Sequence, residues 1–226
     1  MDKRWSFEKL ENGTLRITGY KGDEYDLVIP ASIGENRVTE IASFAFSPNK
    51  NRRAKERRLH LQNIHSITIP DSVLRIGESA FDGCRGLDAI TLPSGLTQLE
   101  NRVFRGCEGL VHITIPDAAT SIGDAAFEDC FSFVSVSIPE AVTEIGASAF
   151  LGCLLLESVD VPSRVTSIGD FAFSGCPNLA KVAVCDSLTS LGEFTFEAGP
   201  KLTIDAPKGS FAEKFAKENN IPFVAK

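Results

Sequence analysis

The stretch DSVLRIGESAFDGCRGLDAITLP, residues 71–93, decides the fold, because the next 23 residues, SGLTQLENRVFRGCEGLVHITIP (94–116), repeat its pattern position by position. Outward from it, Pro70, Pro93, Pro116, Pro139 and Pro162 stand 23 residues apart, and the next step lands on Cys185. Phenylalanine recurs at Phe81, Phe104, Phe127, Phe150, Phe173 and Phe196, and an aliphatic at Ile76, Leu99, Ile122, Ile145, Ile168 and Leu191. A fixed period of this size signals stacked coils, in which each side chain packs on its own counterpart one coil away.

Within a unit, Leu87, Ile90 and Leu92 spell L-x-x-I-x-L, as do Leu110, Ile113 and Ile115, and Leu156, Val159 and Val161. Alternate residues of such a strand point into the core, and the stacked strands should form one parallel sheet with coils about 5 Å apart. Proline closes each strand, where a missing backbone donor costs least. The other half of the unit, IGESAFDGC (76–84), carries Gly77 and Gly83 around Ala80 and Phe81. That pattern suits a turn, a short helical turn and a second turn on the convex side.

An open solenoid end would expose core, so both ends should carry lids. Phe7, Leu10, Leu15 and Ile17 flank a turn at Glu11-Asn12-Gly13, which reads as a hairpin that leads into the strand ending at Pro30. At the other end Leu202 and Ile204 make a last strand, and Ser210 can cap a helix that buries Phe211, Ala212, Phe215 and Ala216.

The units resemble the BspA-like leucine-rich repeats of bacterial and protozoan surface proteins, from Trp5 to the closing Lys208-Gly209-Ser210-Phe211-Ala212-Glu213-Lys214. The expected fold is an α/β-type repeat solenoid, a right-handed leucine-rich-repeat coil with one parallel sheet, an N-terminal hairpin cap and a C-terminal helix cap. One domain is expected over 1–226: cap 1–30, first repeat 31–69, regular repeats 70–201, and closing strand and helix 202–226. The resemblance implies a binding or adhesion module without catalysis. It implies no particular partner, because fold does not fix function.

Composition bounds the rest. A formal charge of −7 argues against a protein that coats nucleic acid or an anionic membrane. No apolar run reaches the roughly 18 residues of a membrane span. The start MDKRWSFEKLENG lacks a signal-peptide core, so the chain as written should stay in the cytoplasm, or reach the cell surface if an export signal has been removed. None of G-x-S-x-G, H-E-x-x-H, the P-loop or G-x-G-x-x-G occurs, and His60, His65 and His112 suggest no base with a nucleophile and an orienting partner. Neither enzyme activity nor a cofactor is expected.

Five cysteines, Cys84, Cys107, Cys130, Cys153 and Cys176, fall in register. They read as small buried thiols filling a turn, with a ladder of disulfides or a metal site as the alternatives. The column Glu78, Asn101, Asp124, Ala147, Asp170 and Glu193 alternates charged with neutral residues until its last pair, which avoids self-repulsion; cation binding is the alternative.

Three surfaces could bind. On the sheet face, Thr68, Thr91, Thr114, Ser137 and Asp160 form a column that runs on to Ala183, with His112 in the next exposed column. They serve either as good strand residues or as a shallow surface for an extended partner. At the turns, sister repeats carry Asp82, Arg85, Gly86, Arg105, Glu108 and Gly109 where the middle repeats carry Phe131, Leu151, Leu154 and Leu155. Such a cluster suggests self-association or a protein partner, unless a displaced loop covers it. Last, 17 extra residues interrupt the first repeat, 12 of them in the basic stretch 47–62, which carries Lys50, Arg52, Arg53, Lys55, Arg57 and Arg58. That stretch is a solvated loop, a short helix, or a docking element for an anion such as phosphate, nucleic acid or an acidic protein face. The reading that results is a non-catalytic protein-interaction module, with an exported adhesin that binds host or matrix polymer as the rival and an enzyme as a distant third.

Overall fold

The computed structural model describes residues 3–50, 55–197 and 201–226, with Lys55 by its backbone alone. The chain winds as a solenoid around one continuous apolar core that runs from Trp5 to Ala216. The phenylalanine column is the axis of that core. Phe46, Phe81, Phe104, Phe127, Phe150, Phe173 and Phe196 stack ring on ring, with centroids 5.2–5.8 Å apart. Burial of each ring contributes roughly 1.5–3 kcal/mol.

The solenoid has two parallel ladders where the sequence suggested one sheet. The expected ladder contains Asp26–Val28, Ser66–Thr68 and Ala89–Thr91. It narrows to single bridges at Thr114↔Ser137 and Ser135↔Ser158, then resumes as Ser158–Asp160, Lys181–Ala183, Thr203–Ala206 and Phe223–Ala225. The second ladder runs through the aliphatic column, pairing Gln98–Leu99, Ser121–Ile122, Glu144–Ile145, Ser167–Ile168 and Ser190–Leu191. These strands are two residues long, too short for period-two alternation to mark them.

The expected helical turn after them is instead a turn with positive φ at Phe44, Ser79, Arg102, Ala125, Ser148, Phe171 and Phe194, φ 53–58°. This conformation points amides at the next coil: Ser79, Phe81 and Gly83 N–H donate to Asn101, Val103 and Arg105 carbonyls.

At the N-terminal end, β1 (Trp5–Lys9) and β2 (Leu15–Tyr20) form the antiparallel hairpin, and β2 pairs in parallel with the coil behind it. After β3 (Asp26–Val28), the five extra residues before Ile41 make a small antiparallel turn between β4 (Ser32–Ile33) and β5 (Asn36–Ile41). The larger part of the insertion contains helix α1 (Lys55–Gln62), anchored by buried Leu61. At the other end Ser210 caps α2 (Phe211–Glu218) by accepting from Glu213 N–H. The buried face of α2 is Ala212 and Ala216; Phe211 is exposed, and Phe215 lies half-buried, edge-on to Phe196 at 6.1 Å. Small residues let this short helix sit close on the last coil, which leaves no room beneath it for Phe211.

Candidate functional site

The turn edge of the solenoid changes character along its length. In the first two regular coils it is ionic: Arg105 pairs with Asp82 at 2.8 Å, Arg85 with Glu108 at 3.3 Å and Arg102 with Glu78 at 3.2 Å. The first two pairs each bridge residues of one column in adjacent coils, and the third joins neighbouring columns. Buried Asp82 also accepts from Asn49 Nδ2, which ties the start of the insertion to this edge. Farther along, the Asp82 column holds Leu151, the Arg85 column holds Phe131 and Leu154, and the adjoining Gly86 column holds Leu155. Leu154 and Leu155 are 43% and 46% exposed, and Phe131 and Leu151 half-exposed. Among the described residues no loop covers the two exposed leucines. The next two coils continue the apolar surface with Phe171 and Phe194, exposed and stacked at 5.2 Å. Sequence reasoning missed this pair because phenylalanine reads as core; the signal was present in their polar counterparts Ser79 and Arg102.

The turn segments that carry these apolar residues hold charge of one sign. The turn segments 124–133, 147–156, 170–179 and 193–197 contain six acids, Asp124, Glu128, Asp129, Asp170, Glu193 and Glu197, and no lysine or arginine. Burial holds the Glu128 carboxyl above its usual range, against the opposing field of Arg105.

The acidic column has a structural use. Asn101, Asp124 and Asp170 side chains each accept the backbone N–H of the residue one coil on, Asp124, Ala147 and Glu193, at 2.8 Å. The spaced charges therefore cap turns. The five in-register cysteines are free and buried, and their thiols donate to the carbonyls of Phe46, Phe81, Phe104, Phe127 and Phe150 in the preceding coil at 3.2–3.4 Å. Burial raises all five thiols, Cys176 to about 11. A protonated, enclosed thiol is a poor nucleophile.

On the sheet face Thr68, Thr91, Thr114, Ser137 and Asp160 are exposed in one line, and His112 Nδ1 lies 3.4 Å from Ser135 Oγ. Ala183, the sixth of that line, is buried, because its methyl lies in register between Asp160 and Asp205, whose longer side chains shade it. Of the six basic residues of the insertion, Arg52 and Arg53 lie outside the described residues, while Lys50, Arg57 and Arg58 gather against the hairpin. There the hairpin adds Lys21, a residue that the insertion alone could not reveal.

Among known proteins, the BspA type Leucine rich repeat region matches this chain in six copies, over residues 56–165 and 145–211. The chain belongs to this family. Several crystal structures of leucine-rich repeat proteins share the fold of this BspA-type chain. The leucine-rich repeat protein of T. pallidum is 29% identical with a TM-score of 0.80, over 100% of this chain and 99% of that one. A leucine-rich cell surface protein of Faecalibacterium prausnitzii is 24% identical with a TM-score of 0.60, over 90% of this chain and 75% of that one. A leucine-rich repeat protein of Bacteroides ovatus is 21% identical with a TM-score of 0.59, over 99% and 66%. No curated protein sequence matches this BspA-type chain. Among its described residues no helix is long and apolar enough to cross a membrane.

Proposed function

We propose that this chain is a non-catalytic protein-interaction module whose partner docks on the turn edge at Phe131, Leu151, Leu154, Leu155, Phe171 and Phe194. The observation that carries this reading is the switch along one edge from bridging ion pairs to uncovered apolar side chains. Exposed apolar clusters of this kind cost solubility and mark interfaces. The surrounding acids choose the occupant. A second copy would set acid against acid, so the partner is a different protein with apolar knobs inside a basic rim. An exported adhesin that holds a polymer along the exposed Thr68–Asp160 line is the second reading, supported by the unbroken polar column on that face.

The test is retention of binding proteins by wild type and by a Leu154→Ser/Leu155→Ser variant, at low and high salt. A protein held by wild type, weakened at least tenfold by the leucine changes and released by salt supports the proposal. Equal retention by the variant overturns it. A salt-resistant dimer of wild type in light scattering, lost in the variant, would replace the foreign partner with a second copy.

A further inference from the structure

We propose that the cleft between the N-terminal hairpin and α1 binds the phosphate group of a small molecule. This site is separate from the turn edge and stands on different residues. The cleft, of about 290 Å³, has Tyr20, Lys21, Lys50, Arg57, Arg58 and Leu61 among its walls. That volume lies near the lower end of the ~300–1,000 Å³ typical of small-molecule sites, too small for a helix or a strand.

Its charge is unmatched. Arg16, Arg75, Arg85, Arg102, Arg105, Lys181, Lys214 and Lys217 all reach carboxylates within 4 Å. The chain has 30 acids for 23 bases, yet among the described residues Lys21, Lys50, Arg57 and Arg58 form no ion pair. Nearby acids do not supply one: Glu24 is held by Arg4 and the Tyr20 hydroxyl, and Asp23 acts on Arg57 only through its field.

The hydrogen bonding is unmatched as well. Arg57 Nη1 donates to Gly22 O at 3.3 Å and Lys50 Nζ to Thr18 O at 3.4 Å. Arg57 Nη2 and Arg58 Nε are buried with no acceptor among the described residues. Buried charged donors without acceptors destabilise a fold, and here two of them adjoin a cleft that two more cations line. A phosphate answers the unmatched charge: it brings two negative charges and several acceptor oxygens, which the four cations lining the cleft meet with short, charge-assisted hydrogen bonds, the lysines through their exposed ammonium groups. The Tyr20 ring, which faces Arg57 at 5.7 Å, and Leu61 offer an apolar wall to the rest of the ligand.

The test is calorimetric titration of the whole chain with inorganic phosphate and with phenyl phosphate, in chloride of matched ionic strength. The comparison is a Lys21→Gln/Lys50→Gln variant, since both lysines are exposed and their loss leaves the fold intact by circular dichroism. Wild type should bind with Kd below about 1 mM, and the variant at least about tenfold more weakly, as expected for losing charge-assisted contacts. Tighter binding of phenyl phosphate identifies an ester as the ligand, and tighter binding of inorganic phosphate the free ion. No binding beyond chloride, or equal binding by the variant, overturns the proposal. The Leu154→Ser/Leu155→Ser variant should titrate like wild type, so that this site and the turn edge fail or stand separately.

Discussion

Asp129 occupies a backbone position, φ 58°, where the sister repeats place Gly83, Gly106, Gly152 and Gly175. A Cβ in the left-handed region is strained, and among the described residues no hydrogen bond to the Asp129 carboxylate offsets that strain. Asp129→Gly should therefore stabilise the protein by about 0.5–1 kcal/mol, read as a higher urea midpoint. Gly152→Ala, at φ 73° with a new Cβ 2.8 Å from Asp129 Oδ1, should lower that midpoint. The thiols give a second residue-scale prediction. Native protein treated with a thiol reagent at pH 8 should label Cys185, which is half-buried, well before the five enclosed cysteines. Fast labelling of all six would contradict the thiol–carbonyl ladder. These residues show why the sequence was only partly legible at this scale. The cysteine column was visible, but its carbonyl acceptors belong to the coil before and follow from the three-dimensional register.

At the scale of elements, α1 rests on the hairpin through His60 as much as through Leu61. His60 packs on Tyr25 at 4.8 Å and near Tyr20 at 6.3 Å, and its Nε2 is buried without a partner among the described residues. Burial first, and then the nearby Arg57 charge, depresses its pKa. A histidine that is harder to protonate folded than unfolded stabilises above its ordinary value, near 6.5, and loses that contribution as pH falls. Lowering the pH from 7.5 to 5.5 should loosen α1, seen as lower amide protection factors across Lys55–Gln62 once the slower intrinsic exchange at low pH is divided out, and His60→Gln should blunt the change. Equal protection factors at both pH values would remove His60 from this role. The hairpin and α2 were legible because their turn and capping residues act locally, Asn12-Gly13 in one and Ser210 in the other. The second ladder was not, since pairs such as Ser121–Ile122 hold their strand geometry only through the neighbouring coils.

The whole molecule is close to one-dimensional, since each regular coil packs on its immediate neighbours. Removal of residues 94–116 should join matching columns, Phe81 onto Phe127 and Cys84 beside Cys130, and leave a folded solenoid one coil shorter. It should also be less stable. The deletion takes Arg105 away and sets Asp82 beside Glu128, two carboxylates without their bridging cation. A cooperative unfolding curve with a lower midpoint is expected, and an Asp82→Asn change in the shortened chain should restore part of the loss. The architecture was legible at this scale because strict columns can arise only from like-on-like stacking. The candidate sites were legible by contrast, as leucines where sister repeats hold charges, except where distant segments meet, as Lys21 does with the insertion.

The lone tryptophan lies at one extremity of the aromatic column, where Trp5 meets Phe46 edge-on at 6.4 Å and Tyr20 at 4.8 Å. Its fluorescence therefore reports the opening of the first coil and is blind to fraying at the other end. The far-ultraviolet signal averages over every coil. In a molecule held together by nearest neighbours, the two signals need not coincide on denaturation, and the gap between them measures how far cooperativity travels along the stack.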